Sequence, residues 1–317
     1  MPHTVLEIDL NALSHNYDYL RSKLEPDVKM LAVVKAYAYG NESVAVARKL
    51  EEKGIDYFAV AYTPEGVALR DAGIKTPILV LHPQIENFNQ VIEQKLEPSI
   101  YSFRVLKAFT EIAHLVASED LNERTFTQQQ IDAFESNAKH MIAGLGYTPM
   151  LHQSNTSAII NYPQAQFDMV RTGIGLYGYG NIQAEDLKLK PVATLKTVIS
   201  QIHEIAIGET VGYNRAHTAA KLGRSATLPI GHADGISRAY GKGRGYVMIK
   251  GKKAPIIGNV CMDMIMVDVT KIDCEEGDEV IIFGKGVSAV ALTARIKSIP
   301  YELITAISQR VQRKIIE

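Results

Sequence analysis

Short strand-like runs alternate with helical runs through the first half of the chain, and this alternation limits the possible folds more than any other feature. The strand-like runs are nearly all apolar, as is typical of parallel strands buried on both faces. Clear ones lie at 30–36, 57–62, 77–82, 97–102, 150–154 and 169–174, with a weaker one at 114–118. Helical patterns lie between them, at 43–53, 63–72, 85–94, 103–113 and about 122–141. Repeated βαβ units predict a (β/α) barrel or a doubly wound sheet.

The pattern changes after about Gly180. Short runs of alternating polarity, separated by turn residues, predict an antiparallel β domain there. A short helix is expected at 289–299 and a final strand at 305–316, and the first apolar run, VLEIDL, is expected to join this second sheet. We therefore predict a barrel domain over residues 10–180 and a C-terminal β domain over 181–317 together with 1–9. Two domains also suit a length of 317 residues.

Charge and composition exclude several classes of protein. The formal net charge is -1, so no global field attracts nucleic acid or anionic lipid. No apolar run approaches the roughly 18 residues of a membrane span, and the first residues lack the pattern of a signal peptide. The two cysteines, Cys261 and Cys274, suit a reducing compartment and lack metal-ligand spacing. We expect a cytoplasmic protein that binds neither nucleic acid, nor membrane, nor a metal ion.

Lys35 lies within or at the end of the apolar run AVVKAYAYG. A buried lysine is costly unless it is paired or covalently used, and burial lowers the pKa of an amine and makes it nucleophilic toward a carbonyl. This chemistry fits a Schiff base with pyridoxal phosphate (PLP). The alternative is a lysine whose ammonium reaches solvent at the strand end. Tyr37, Tyr39 and Gly40 favour the first interpretation, since phenols beside a flexible turn can hold a phosphate.

Two motifs, EIDLNALSHNYDYLR and VVKAYAYG, resemble the signature of the alanine racemase family of fold-type III PLP enzymes. The resemblance implies a TIM-like barrel followed by a β domain, with PLP as cofactor. It also implies interconversion of L- and D-alanine for peptidoglycan precursors. Tyr37 stands where the family has asparagine. In this departure the chain resembles the racemase module that is fused behind a peptidoglycan ligase in some bacteria.

The resemblance also implies roles for individual residues. Lys35 binds PLP covalently and later acts as one of two acid/base groups, and Tyr39 contacts the cofactor phosphate. The other cofactor-binding residues implied are His114, Asn155, Thr156, Arg171, Gly173, Ile174 and Tyr301. Arg171, with His152 behind it, faces the pyridine nitrogen. Because arginine keeps its proton, that nitrogen stays unprotonated and the ring is a weaker electron sink. The alternative for Arg171 is a salt bridge to Asp168.

The second domain is expected to contribute the other base. Tyr213, in VGYNRAH, matches the family tyrosine that reaches the lysine site of a partner subunit, so the resemblance implies a homodimer with shared active sites. An unperturbed tyrosine has a pKa of about 10, so a neighbour must hold its proton, and His232 is the expected helper. Met262 and Asp263 match the turn that lines the site for the substrate, alanine. The loop GKGRG at 241–245 lacks the strand and helix of a phosphate-binding loop, so a hairpin loop is expected there.

Between Ala113 and His114 a stretch of the family pattern is missing. The family has there a barrel strand with the motif TGMxRLG, whose arginine contacts the substrate carboxylate and the cofactor. The predicted barrel is therefore short of one or two strands. Three hypotheses stay open: an active PLP-dependent alanine racemase, a catalytically impaired racemase derivative, or a different PLP-dependent reaction on the same scaffold.

Overall fold

The computed structural model describes residues 4–84, 87–99, 124–145, 148–180 and 188–317. The chain divides into two compact units. The barrel unit spans Asn11–Lys190, and the β unit joins Met1–Leu10 to Pro191–Glu317. Within the described ranges, no helix is both long enough and apolar enough to cross a membrane.

Strands and helices follow one another along the chain. The strands are β1 (Val5–Asp9), β2 (Lys29–Val33), β3 (Tyr57–Val60), β4 (Ile78–Val80), β5 (Glu97–Pro98), β6 (Met169–Thr172), β7 (Ala193–Val198), β8 (Gln201–Ile205), β9 (Thr210–Val211), β10 (His217–Thr218), β11 (Gly223–Leu228), β12 (Tyr246–Ile249), β13 (Lys252–Ile257), β14 (Ile265–Asp268), β15 (Glu279–Phe283) and β16 (Gln312–Ile316). The helices are α1 (Leu10–Arg21), α2 (Ser43–Glu52), α3 (Thr63–Asp71), α4 (Phe88–Glu93), α5 (Arg124–Leu145), α6 (Thr156–Asn161), α7 (Ala289–Ala294) and α8 (Pro300–Thr305).

A parallel sheet forms the centre of the barrel unit, with the strand order β5-β4-β3-β2-β6 in the described residues. Met30, Leu31 and Ala32 of β2 are fully buried, as expected for a strand covered on both faces. Leu31 lies opposite Arg171 of β6 in parallel register. The segments that follow β2 and β6 therefore leave the same edge of the sheet, although they are far apart in the chain.

The predicted alternation of strands and helices is confirmed in β2 to β4 and in α2 to α4, but one predicted strand is wrong. Residues 150–154 have no regular secondary structure. The Leu151 carbonyl accepts N–H groups from both Asp168 and Met169, so the run follows β6 without a regular ladder. The predicted helix at 103–113, the weak strand at 114–118 and the junction between Ala113 and His114 lie outside the described residues.

The β unit contains a sheet with the order β16-β1-β7-β15-β12-β13-β14-β11-β8, and β9 pairs with β10. β1 pairs with β7 in antiparallel register and with β16 in parallel register, so the expectation that the first strand joins this sheet is confirmed. The predicted last strand begins too early. Residues Pro300–Thr305 form α8, with the proline in its first turn, and the strand starts only at Gln312.

Candidate active site

Lys35 begins a left-handed turn. Residues Lys35–Gly40, which we call the left-handed turn, start just beyond the end of β2, and Lys35 is half-buried there. The next four residues, Ala36 to Tyr39, have φ angles of 52°, 59°, 50° and 58°. For residues other than glycine this conformation costs about 1–2 kcal/mol each, and it persists only where neighbouring groups hold it.

Tyr39, at the end of this turn, is fixed by a second tyrosine. The Tyr39 side chain is 8% exposed, and its ring stacks on that of Tyr177 with 4.7 Å between ring centroids. The Tyr177 hydroxyl donates a hydrogen bond to the Val33 carbonyl at 3.1 Å, and burial raises its pKa well above its usual range. Tyr177 therefore stays protonated and ties Tyr39 to the end of β2.

Gly173, just after β6, lies against the Tyr39 hydroxyl. A Cβ added to Gly173 would be 2.5 Å from the Tyr39 Oη. The Gly173 N–H donates to the Thr156 hydroxyl at 3.1 Å, and that hydroxyl lies 3.3 Å from the hydroxyl of Thr172. The Asn155 side chain accepts the N–H of Ala158 and so caps α6. These contacts bring Tyr39, Thr156 and Gly173 together as the sequence predicts, whereas Asn155 is seen as a helix cap.

Arg171 and His152, both half-buried, form a second feature of the barrel unit. An Arg171 N–H donates to the Gln153 carbonyl at 3.0 Å, and burial lowers the pKa of Arg171 to about 10, so it is still a cation at neutral pH. Burial and then the charge of Arg171 lower the pKa of His152 to about 4, so this imidazole is neutral. The carboxylate of Asp168, the alternative partner, accepts the N–H of Leu151 at 2.7 Å.

Tyr213 of the β unit is open to solvent. It lies in a short turn, Tyr213–Arg215, between β9 and β10, and its side chain is 74% exposed. The Asn259 side chain donates to the Tyr213 carbonyl at 3.1 Å. A cavity of about 320 Å³ is lined by Tyr213, Asn214, His232, Arg238, Asn259, Val260, Cys261 and Met262. The structure thus places the predicted base, its predicted helper His232 and the predicted substrate residue Met262 around one cavity.

Arg310 connects the two turns on which these residues lie. Its guanidinium bonds both carboxylate oxygens of Asp234, at 2.6 and 3.2 Å, and one oxygen of Asp263, at 2.6 Å. The Ala233 N–H also donates to the Met262 carbonyl at 3.0 Å. Sequence reasoning missed Arg310, because no local pattern pairs it with residues so distant in the chain. It also missed Tyr177, which a closer examination of GIGLYG, the motif that holds Gly173, could have found.

Three further residues were predicted to bind the cofactor: Ile174, Tyr301 and His114. Ile174 is almost fully buried directly after Gly173. Tyr301 is half-buried in α8 of the β unit. His114 lies outside the described residues.

N–H groups of the GKGRG loop are bonded to main-chain carbonyls in and just after β13. Lys242 and Gly243 each donate at 2.7 Å, to the carbonyls of Gly258 and Ile256. Since those amides already have partners, the loop does not form an anion cradle. It joins a helical turn at Arg238–Tyr240 to β12 and does not connect two paired strands, so the prediction of a hairpin loop is wrong.

The groups at the common edge of β2 and β6 suit PLP. The edge offers the Lys35 amine for an aldehyde, the Tyr39 phenol and the Thr156 hydroxyl for a phosphate, and the Arg171 cation for a ring nitrogen. Gly173 is the decisive fit, because a side chain there would fill the space beside the Tyr39 Oη.

Comparison with known families agrees with this geometry. The family model described as alanine racemase, N-terminal domain, matches residues 8–117 and 109–181, and the one described as alanine racemase, C-terminal domain, matches 192–315. The chain belongs to the alanine racemase family. This membership confirms the predicted isomerase class, the racemisation of alanine, PLP as cofactor, and a TIM-like barrel followed by a β domain. It does not favour the catalytically impaired alternative.

Individual relatives align along nearly the whole chain. The alanine racemase of Halothermothrix orenii is 33% identical over 98% of this chain and 96% of its own length. The solved alanine racemase of Clostridium difficile 630 has a TM-score of 0.88 at 32% identity and covers 100% of this chain and 96% of that one. The alanine racemase of Bartonella henselae, solved with covalently bound pyridoxal phosphate, has a TM-score of 0.89 at 25% identity and covers 100% of both chains.

The relatives carry residues for which this chain has none. The alignment with the H. orenii racemase is 369 positions long, whereas this chain has 317 residues. Many positions of that alignment are therefore gaps in this chain, as a shortened member of the family requires.

Proposed function

We propose that Lys35 of the barrel unit and Tyr213 of the β unit are the two bases of an alanine racemase. The observation that carries the proposal is the parallel pairing of β2 with β6, which brings the segment containing Lys35 and Tyr39 to the same sheet edge as Arg171 and Gly173. When bound, PLP withdraws electrons from the substrate and so makes its α-hydrogen acidic.

The barrel unit would hold the cofactor from several sides. Lys35 would bind it covalently through its amine. The Tyr39 hydroxyl, the Thr156 hydroxyl and the N–H group of Ile174 would donate to the phosphate, and Asn155 would lie near them. The Gly173 N–H would orient the Thr156 hydroxyl, to which it donates. The role expected of His114 stays a prediction, because His114 lies outside the described residues. Arg171 would face the ring nitrogen, to which it can donate a hydrogen bond while keeping its own proton. Tyr301 narrows the entrance.

Proton transfer then needs two groups on opposite faces of the substrate α-carbon. A single base tends to return the proton to the face it left, and this does not racemise the substrate. The Lys35 amine serves one face and the Tyr213 hydroxyl serves the other. His232 lines the same cavity as Tyr213 and would hold the phenol proton, and Met262 of that cavity would border the substrate. Asp263, which follows Met262 and bonds Arg310, would border it as well.

We further propose a homodimer in which each Lys35 works with the Tyr213 of the other subunit. Support comes from the exposed apolar side chains beside this cavity, since Tyr213, Met262 and Met264 are 74%, 59% and 44% exposed. Clustered exposed apolar side chains are typical of surfaces that another protein covers. The expected domains, 10–180 for PLP and 181–317 with 1–9 for the tyrosine, would thus act in different subunits.

A cytoplasmic location is part of the proposal. Cys261 and Cys274 are both free thiols and both buried, which suits a reducing compartment.

The test of activity is D-alanine production by the purified protein with L-alanine and added PLP. We expect D-alanine to form, and we expect a visible absorbance band from the bound cofactor that Lys35→Ala abolishes. Absence of this band in the wild-type protein, or its persistence in Lys35→Ala, would contradict the assignment of Lys35.

The test of shared sites uses two inactive variants. Lys35→Ala and Tyr213→Phe are prepared separately and then coexpressed. If each site combines residues of two subunits, half of the dimers are mixed and each of these has one intact site, so activity returns to about a quarter of the wild-type value. No recovery would mean that Lys35 and Tyr213 of the same chain work together, or not at all.

A further inference from the structure

Glu65, in the first turn of α3, joins the segments that follow two neighbouring strands. Its Oε1 accepts the N–H of Ala36, in the left-handed turn, at 2.8 Å. Its Oε2 accepts the N–H groups of Ala61 and Tyr62, which follow β3, at 2.7 and 3.2 Å. One carboxylate therefore fixes the residue after Lys35 to the end of the adjacent strand.

Only a carboxylate suits these donors. Both of its oxygens accept, and hydrogen bonds from N–H groups to an ionised acceptor are stronger than neutral ones. An amide of the same shape offers one accepting oxygen and one N–H₂ group. Glu65→Gln therefore places a donor against a backbone donor, either at Ala36 or at Ala61.

Asn41 holds the other end of the left-handed turn. Its Nδ2 donates to the carbonyls of Ala38 and Tyr39 at 2.6 and 3.3 Å, and the side chain is 1% exposed. Glu65 thus takes an N–H group at the start of the turn, and Asn41 meets two carbonyls at its end. The strained residues between them include Tyr39, and Lys35 stands directly before them.

We propose that Glu65 and Asn41 are positioning residues that hold the left-handed turn, and so aim the Lys35 amine and the Tyr39 hydroxyl at the cofactor. The proposal rests on the function proposed above for Lys35. Neither side chain needs to touch substrate or PLP. Both act through the main chain of a segment whose conformation is unfavourable on its own.

The experiment compares Glu65→Gln with Glu51→Gln. Glu51 is a matched control, because it is also half-buried in the barrel unit and its Oε1 accepts three hydrogen bonds, from the N–H groups of Lys75 and Thr76 and from the Thr76 hydroxyl, each at 2.8 Å. The Glu51 contacts lie before β4, at the opposite edge of the sheet.

Two measurements separate positioning from general stability. The dissociation constant of PLP is determined by equilibrium dialysis, and hydrogen exchange is followed by mass spectrometry in the peptide covering 34–41. We expect Glu65→Gln to weaken PLP binding about tenfold and to speed exchange in this peptide about tenfold, since small displacements at a reacting group have large effects. We expect Glu51→Gln to lower the Tm about as much as Glu65→Gln does. It should change neither the dissociation constant of PLP nor the exchange rate in the peptide 34–41.

A second pair keeps the proposal testable if Glu65→Gln does not fold. Asn41→Ala should have the same two effects. Asn16→Ala is its control, because Asn16 is also buried and also donates to two carbonyls, those of Leu176 and Lys190, at 3.0 and 2.8 Å. The proposal is overturned if Asn41→Ala and Glu65→Gln match their controls in both measurements.

Lys35→Ala, measured in parallel, distinguishes the two levels of failure. If Lys35→Ala loses the cofactor absorbance while the positioning variants match their controls, only the positioning role is wrong. If Lys35→Ala keeps that absorbance, the function proposed for Lys35 is wrong, and the exchange data still decide whether Glu65 and Asn41 hold the turn.

Discussion

The two units present their proposed active-site groups in opposite ways. In the barrel unit, Tyr39 is 8% exposed and stacks on Tyr177, and Arg171 is held by a main-chain carbonyl. In the β unit, Tyr213 and Met262 are 74% and 59% exposed. A group that holds a cofactor must be fixed before the cofactor arrives, and one unit can supply all the neighbours this needs. The exposure of Tyr213 is what we expect of a base that, as proposed, completes the site of another subunit.

The largest expected effect concerns Tyr213, the exposed residue of the β unit. Tyr213→Phe removes the proposed second base, and we expect kcat to fall about 10²–10⁴-fold, as for other lost acid/base groups. PLP binding should not change. In D₂O, one enantiomer of alanine should still exchange its α-hydrogen, because Lys35 still serves one face, while exchange of the other enantiomer is lost.

Tyr240→Phe is the control for this variant. Tyr240 belongs to the same unit, and burial raises its pKa to about 12, so it cannot act as a base near neutral pH. Equal loss of exchange for both enantiomers in Tyr213→Phe would contradict a role on one face.

His152 of the barrel unit predicts that the stability of the protein depends on pH. His152 has a pKa of about 4 in the folded protein, below its usual value of 6.5, so the unfolded chain binds the proton more readily. This contribution to stability is complete above about pH 6.5 and is lost as the pH falls toward 4. Between pH 7 and pH 4.5 the loss amounts to about 2–3 kcal/mol.

Urea unfolding of the wild type and of His152→Gln at pH 7 and pH 4.5 measures this loss of stability. The wild type should lose more stability on acidification than the variant, by the amount given above. Parallel loss in the two proteins would mean that His152 is not protected from protonation.

Gly173→Ala tests how tightly the barrel unit fixes its groups. The added methyl would lie 2.5 Å from the Tyr39 Oη, and the stacked Tyr177 prevents the ring from moving aside. We expect PLP binding to weaken about tenfold, which corresponds to about 1.4 kcal/mol. Gly223→Ala is the control, because its methyl would lie 2.7 Å from the Thr270 hydroxyl, in the β unit. It should lower the Tm without affecting PLP binding, and equal binding in both variants would contradict the tight fit.

The smallest expected effect concerns the hydrogen bond from Asn259 to the main chain of Tyr213. Asn259→Ala removes the hydrogen bond to the Tyr213 carbonyl. The net value of such a bond is about 1 kcal/mol, so we expect kcat to fall about fivefold with unchanged PLP binding. Steady-state kinetics with both enantiomers measure this. A loss as large as that of Tyr213→Phe would show that the turn is rigidly fixed within its own subunit, against the contrast drawn here.

Much of the fold could be predicted because its signals are local. Buried parallel strands leave apolar runs, and β2, β3 and β4 lie where those runs are. Residues 150–154 carry the same signal but form no strand, because their hydrogen bonds to β6 are irregular. An apolar run reports burial and does not report how N–H and carbonyl groups pair.

The candidate site was only partly predictable for the same reason. Lys35, Tyr39, Arg171 and Gly173 stand in recognisable motifs, and the structure brings these motifs to one sheet edge. The contacts of Arg310 with Asp234 and Asp263 join residues that are distant in the chain, and no motif encodes them.

The sequence by itself determined the family, the alternation of strands and helices, and the kinds of group available for chemistry. These follow from residue types and from spacings along the chain. The tertiary structure alone decided that four residues after Lys35 adopt a left-handed conformation, and that Glu65 and Asn41 meet the ends of that turn. The physical reason is that an unfavourable backbone conformation is maintained by partners from elsewhere in the fold, and their positions are set only when the sheet has formed.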